Sequence, residues 1–161
     1  GSGCIPVTLA KNLNYAKVFA IDISEGALQT AKENAVANST EVTFLKVDIL
    51  NDPIPFELDK LDVIVSNPPY VTFSEKAVMK KNVLNYEPHT ALFVPDDDAL
   101  VFYNKILSDY TLRLKRGGKV YFEINENKGP EVEQLFKKNN FSNIQIRKDF
   151  NNKVRFAIGT L

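Results

Sequence analysis

The sequence predicts an α/β domain with a mainly parallel, doubly wound sheet that closes with an antiparallel hairpin strand. Three observations lead there. Apolar runs of strand length alternate with helical stretches from one end of the chain to the other, the order that covers both faces of a sheet with helices. Several of those runs, such as "KVFAID" (17–22), are apolar almost throughout, as burial on both faces requires. The last two, 143–148 and 154–160, are separated only by "DFNNK", a hairpin-type turn that reverses the chain.

Taken in order, 17–22 reads as a short buried strand. In "SEGALQTAKENAVAN" (24–38), Ser24 offers an oxygen to the free N–H groups of a first helical turn, and Ala27, Leu28, Ala31 and Ala35 recur along one face. "VTFLKVD" (42–48) alternates as a strand does. An acidic, proline-broken loop over 51–60 leads to a strand at 61–66. The segment 74–95 is irregular, with a short helix expected near 77–82. "DDDALVFYNKILSDYTLRL" (96–114) is expected as one long amphipathic helix, capped by the Asp96–Asp98 carboxylates and ended by Gly117-Gly118. A strand "KVYFEI" (119–124), a helix beginning after Pro130 and the closing hairpin complete the chain.

At 161 residues the chain is long enough for one domain, 1–161, with a full core. Twenty basic and twenty acidic residues cancel and are interspersed, which argues against a surface built to grip long nucleic acid. A protein or a small molecule is the expected partner. The single cysteine, Cys4, excludes an internal disulfide and a cysteine-based metal cluster, and no metal is expected. Neither a signal peptide nor an apolar stretch of membrane-spanning length is present, so the expectation is a soluble cytoplasmic domain with no membrane partner.

Ligands of open α/β sheets bind beyond the carboxyl ends of the strands. Strand 17–22 ends in Asp22, strand 42–48 in Asp48, and strand 61–66 runs into Asn67. With the opening "GSG" these side chains are expected to converge on one crevice. An acid about twenty residues after a glycine loop can accept from both hydroxyls of a ribose. An ordinary cap or turn is the alternative for either aspartate. The opening itself reads as a glycine loop met at its middle, with an appended linker as the alternative. Such a loop permits close backbone approach and directs a helix N-terminus at an anionic group.

"NPPY" (67–70) is the most specific feature. Proline cannot donate to a ladder, so Pro68 and Pro69 must stop the strand through Ile64 and Val65, and they hold the residues before them extended. The product is a stiff loop at a strand end, carrying one side-chain amide, one ring and carbonyls with few local N–H partners.

In this order, "GSG", "AIDIS" (20–24), "VDIL" (47–50) and "NPPY" resemble the Rossmann-like class I methyltransferases that use S-adenosylmethionine, within them those acting on planar exocyclic or amide nitrogens. "YEPHTALF" (86–93), "DDDALVFYNKIL" (96–107), "GGKVYFEI" (117–124) and "KDFNNKVRFAIG" (148–159) are similar to the HemK-like glutamine methyltransferases of peptide chain release factors. The resemblance implies S-adenosylmethionine as cofactor and a release factor as protein substrate. It implies Gly1 and Gly3 near the methionine part, Asp22 on the ribose, Asp48 and Ile49 around the adenine, and Asn67 touching the cofactor as well as the acceptor. Asn67, Pro68, Pro69 and Tyr70 would hold the substrate amide, with Asn67, Pro68 and Tyr70 carrying catalysis. Against the family's pattern, the first strand and the acidic start of the glycine motif are missing, as is the upstream helical domain. Asn125 stands where a glycine is usual, Lys128 where a glutamine is usual, and Asn151-Asn152 replace a glycine-containing turn.

Asn67 Oδ1 and the Pro68 carbonyl are both acceptors, so each can take one N–H of a substrate amide, and Tyr70 can pack against its plane. An adenine or guanine amine of DNA or RNA would fit the same grip, and a non-catalytic methyltransferase-like module is a third reading. His89 reads as a loop packing residue. Glu87, beside Tyr86, either lines the substrate side or pairs a lysine, and Glu123 is a structural hydrogen-bonding residue.

Overall fold

The computed structural model describes residues 1–55, 57–58, 60–78, 88 and 91–161. The chain falls into two compact units, Gly1–Ile54 and Pro55–Leu161.

The first unit holds α1 (Cys4–Asn12), β1 (Phe19–Asp22), α2 (Glu25–Ala37) and β2 (Thr43–Lys46). β1 and β2 run parallel, in register from Phe19 opposite Thr43 to Asp22 opposite Lys46. Their carboxyl ends therefore face the same way, and Asp22 and Asp48 stand at the same end of the pair. Ser24 caps α2 as expected, its Oγ accepting from the Ala27 N–H at 3.2 Å. Leu28, Ala31 and Ala35 are the buried stripe of that helix. Gly3 precedes α1 with φ at 81°, a left-handed value, and a Cβ there would lie 2.8 Å from the Ala31 Cβ. Only glycine serves at that crossing.

The second unit contains β3 (Leu61–Ser66), β4 (Val71–Thr72), β5 (Phe93–Val94), α3 (Val101–Ser108), β6 (Leu114–Glu123), α4 (Gly129–Lys138), β7 (Ser142–Lys148) and β8 (Val154–Thr160). The main sheet has the order β3-β6-β8-β7, with β3 parallel to β6 and β8 antiparallel to both β6 and β7. β4 and β5 form a small parallel pair. Period-two alternation puts Val120, Phe122 and Ile124 on one face, all fully buried. Tyr103 of α3 meets Phe122 edge-on at 5.1 Å between ring centroids, and Phe136 of α4 lies 5.5 Å from the same ring. The two helices therefore cover one face of the sheet. A Cβ on Gly159 would come within 2.6 Å of the Phe136 ring, so the closeness of α4 to β8 depends on that glycine.

The alternation of strands and helices, the parallel pairs and the closing hairpin are as the sequence predicts. The long helix over 96–114 is not. Asp96–Asp98 forms a 3-10 turn, α3 spans only Val101–Ser108, and a second 3-10 turn covers Tyr110–Arg113. The Asp96–Asp98 carboxylates do not cap α3, whose N-cap is Leu100 with no side-chain bond. Asp96 instead accepts from the Ser74 N–H at 3.0 Å. Burial of Tyr110 and Thr111 bends the chain out of helix, with Thr111 Oγ1 donating to the Leu107 carbonyl at 2.6 Å. Gly117 and Gly118 end no helix. They lie inside β6, where pairing with β3 jumps from Leu61 opposite Leu114 to Val63 opposite Lys119, and Gly117 takes φ at 80°. Of the short helix expected at 77–82, a 3-10 helix over Phe73–Val78 reaches the start, and 79–82 lie outside the described residues. Among the described residues no helix is long and apolar enough to cross a membrane.

Candidate active site

In the first unit the glycine opening and Asp22 are brought together. Asp22 Oδ1 accepts from the Ser24 N–H at 2.8 Å, and Oδ2 pairs with the Gly1 amine. The Asn34 amide donates to the Ser2 carbonyl at 2.9 Å, which pins the loop to α2. The Asp22 carboxylate is 23% exposed, enough to meet a ligand from one side. The first-turn N–H groups of α1 receive no side-chain cap.

Asp48 is a turn residue. Its Oδ1 accepts from the Leu50 N–H at 3.0 Å, its Oδ2 from the Asn51 amide at 2.8 Å, and its own N–H donates to the Asp52 carboxylate at 2.7 Å. The Asn51 amide, followed by the Leu50 N–H, holds its carboxyl below the usual carboxylate range. Both oxygens of Asp48 thus shape the loop that presents the half-buried Ile49.

In the second unit, β3 stops at Ser66 and 67–70 take no regular structure, as the prolines require. Asn67 is exposed, and among the described residues its side chain has no hydrogen-bond partner. Pro68 is buried, and no backbone N–H of a described residue donates to its carbonyl.

Tyr70 is held in two ways. Its hydroxyl donates to Glu123 Oε1 at 2.9 Å, with Arg155 Nη1 at 3.5 Å, and its carbonyl accepts from the Asn125 amide at 3.3 Å. Burial, then the charge of Glu123, pushes its pKa up to about 12, so the phenol remains a donor. The Glu123 carbonyl in turn accepts from the Tyr103 hydroxyl at 2.9 Å, the structural role expected of that residue. Glu75, Asn125 and Arg155 escaped sequence reasoning. Asn125 carried a signal, its departure from the usual glycine, whereas Arg155 lies 85 residues from Tyr70 and carried none. Tyr86, Glu87 and His89 lie outside the described residues.

A parallel-stranded α/β fold, with a glycine opening and an acid after the next strand in the first unit and a proline-stiffened loop at a strand end in the second, has the pattern of a methyltransferase domain. The chain belongs to the methyltransferase small domain family, whose model matches residues 1–87. It is 51% identical over 150 residues to a release factor glutamine methyltransferase of Flavobacterium psychrophilum, covering 92% of this chain and 52% of that protein. With the Bacteroides thetaiotaomicron release factor glutamine methyltransferase it shares 46% identity over 156 residues, covering 96% and 55%. The chain spans about half the length of the curated relatives it matches. Among solved structures, the ribosomal protein L11 methylase of Lactobacillus delbrueckii superposes with a TM-score of 0.65 at 23% identity, over 99% of this chain and 66% of that one. The human Mettl16 catalytic domain gives 0.69 at 18%, over 99% and 60%. These likenesses are ones of fold, and they bear out the Rossmann-like methyltransferase architecture.

Proposed function

We propose that the protein containing this chain transfers a methyl group from S-adenosylmethionine to the side-chain amide nitrogen of the glutamine in the Gly-Gly-Gln motif of peptide chain release factors. The observation that carries this reading is the pair of acceptors at 67 and 68, an exposed amide and a carbonyl, both without hydrogen-bond partners among the described residues, on a proline-stiffened loop. The 51% identity to a protein of that activity supports the choice of target.

The residues of the first unit fit the cofactor. A partly exposed carboxylate, Asp22, suits a ribose diol, and it stands beside the glycine opening. The uncapped N-terminus of α1 suits the carboxylate of a methionine. Ile49 offers an apolar wall for adenine. S-adenosylmethionine, when bound, supplies an electrophilic methyl on its sulfonium.

A carboxamide nitrogen is a poor nucleophile because its lone pair is delocalised. Asn67 Oδ1 and the Pro68 carbonyl each accept one of its N–H groups, which fixes the amide plane and stabilises the positive charge that grows on nitrogen. Prolines order the loop before substrate arrives, and alignment of two reactants can supply up to roughly 7–11 kcal/mol. No strong general base is needed, since the alkylated nitrogen becomes acidic and loses its proton to water. A cytoplasmic location goes with this reading, since its substrate would be a translation factor.

The test is methyl transfer by the intact protein to a purified release factor, with mass spectrometry of the Gly-Gly-Gln peptide. Methyl on that glutamine is the expected result. Methyl found only on DNA or RNA, or none at all, would sink the reading.

A further inference from the structure

We propose that Asn125 is a positioning residue for the methyl-acceptor loop, its amide tying the backbone of Tyr70 and the carboxylate of Glu75 into one frame that sets where Asn67 and Pro68 point. This rests on the reading of 67–70 as the acceptor clamp.

Asn125 follows the end of β6 and is only 8% exposed. Its Nδ2 donates to the Tyr70 carbonyl at 3.3 Å and to both Glu75 oxygens at 3.2 Å, and its Oδ1 accepts from the Asn127 N–H at 3.0 Å. A carbonyl and a carboxylate on one side and an N–H on the other fix the orientation of the amide, since only Nδ2 can face two acceptors. Glu75 also accepts from the Thr72 N–H at 2.9 Å and from the Thr72 hydroxyl at 3.1 Å. Residues 70, 72 and 75 are thus closed into a loop around one buried amide. Tyr70 is gripped a second time through its hydroxyl by Glu123, two residues before Asn125. Asn67 lies three residues upstream of this double anchor. Glu75 remains the charged acceptor: burial works against it, but the bonds from Thr72 and Asn125 outweigh burial and hold its carboxyl below the usual range.

Asn125→Asp keeps the shape and replaces the donor with an acceptor. The new carboxylate would face Glu75 directly, with Glu123 beyond Tyr70. Among the described residues, Lys128 acts on Glu75, and Arg155 acts on Tyr70 and Glu123. Two carboxylates at hydrogen-bond distance cannot both ionise without repulsion, and a proton shared between them at lower pH restores the donor toward Glu75, though not the one toward the Tyr70 carbonyl. In the intact protein, kcat for release-factor glutamine methylation should fall at least about tenfold at about pH 8, with the KM for S-adenosylmethionine unchanged. The ratio of mutant to wild-type rate should rise as the pH is lowered to about 5.5.

Asn125→Gly deletes the amide altogether, and glycine can adopt the backbone conformation that Asn125 has. Its kcat should fall several-fold with a pH-independent ratio, and it carries the test if Asn125→Asp does not fold. An active wild type matched by Asn125→Asp at every pH, or by Asn125→Gly in kcat where only that variant folds, overturns the inference alone. A wild type that methylates no glutamine removes the proposed function and this inference with it.

Discussion

Replacing Asn67 with alanine separates the roles of loop and fold. The Asn67 side chain is exposed and makes no hydrogen bond to a described residue, so its loss should change stability by no more than about 0.5 kcal/mol. The proline-fixed backbone, the Pro68 carbonyl and the Tyr70 anchors persist. The substrate amide loses one of its two acceptors, in an interaction that strengthens as charge develops on nitrogen. Removing one such preorganised partner costs about 2.7–4 kcal/mol in comparable sites, or a factor of about 10² to 10³ in rate. Single-turnover methyl transfer to the Gly-Gly-Gln peptide, run beside thermal denaturation and calorimetric titration of the cofactor, reads all three quantities. A mutant rate near wild type would show that Asn67 is not the clamp. A fall in melting temperature matching the fall in rate would make the residue structural, against its exposure and the lack of a hydrogen bond to its side chain among the described residues.

Three further outcomes are expected. Asp22→Ala should weaken S-adenosylmethionine binding to the intact protein by about 1–3 kcal/mol, through lost hydrogen bonds to a charged group; unchanged affinity by calorimetry would remove Asp22 from the cofactor site. Tyr70→Phe deletes the 2.9 Å bond to the Glu123 carboxylate and should cost about 1–2 kcal/mol of stability in urea. Because the folded-state pKa of Tyr70 is raised to about 12, that contribution is present below about pH 10 and is lost as the pH rises toward about 12, so the wild-type advantage should vanish at the alkaline end. Gly3→Ala combines a positive φ with a 2.8 Å approach to the Ala31 Cβ and should destabilise by about 1–3 kcal/mol; a melting temperature equal to wild type would refute the close crossing of α1 and α2.

What the sequence disclosed was local. Ser24 could be read as a cap because the oxygen and the N–H it serves are three residues apart, and Pro68-Pro69 could be read as a strand stop because proline's constraint is its own. The break in the helix over 96–114 was hidden, since its cause is the burial of Tyr110 and Thr111 in a core assembled from distant strands. Gly117 read as a helix end because a positive φ serves a C-cap and a bulge alike, and only the pairing with β3 decides between them. Asp48 was open to two roles for the same reason, as a carboxylate beside a turn can face a ligand or close the turn. The anchors of the acceptor loop, Glu123, Asn125 and Arg155, lie 53 to 85 residues from Tyr70 and meet it only through the sheet.

Within four residues the loop divides its polar groups by use. Tyr70 has its hydroxyl and carbonyl taken by Glu123 and Asn125, which fixes the loop without drawing on the acceptors at its other end. Among the described residues nothing takes the Asn67 side chain or the Pro68 carbonyl. An exposed amide costs little to leave without a protein partner, because water serves it. Exchanging that water for a substrate N–H therefore adds only about 0.5–1.5 kcal/mol of ground-state binding. In the proposed reaction the larger gain comes when the nitrogen acquires positive charge, since fixed acceptors need not reorganise to meet it. Interactions that strengthen only at that stage raise kcat rather than affinity, and a strand that ended in helix or flexible loop would hold neither acceptor still enough to provide them.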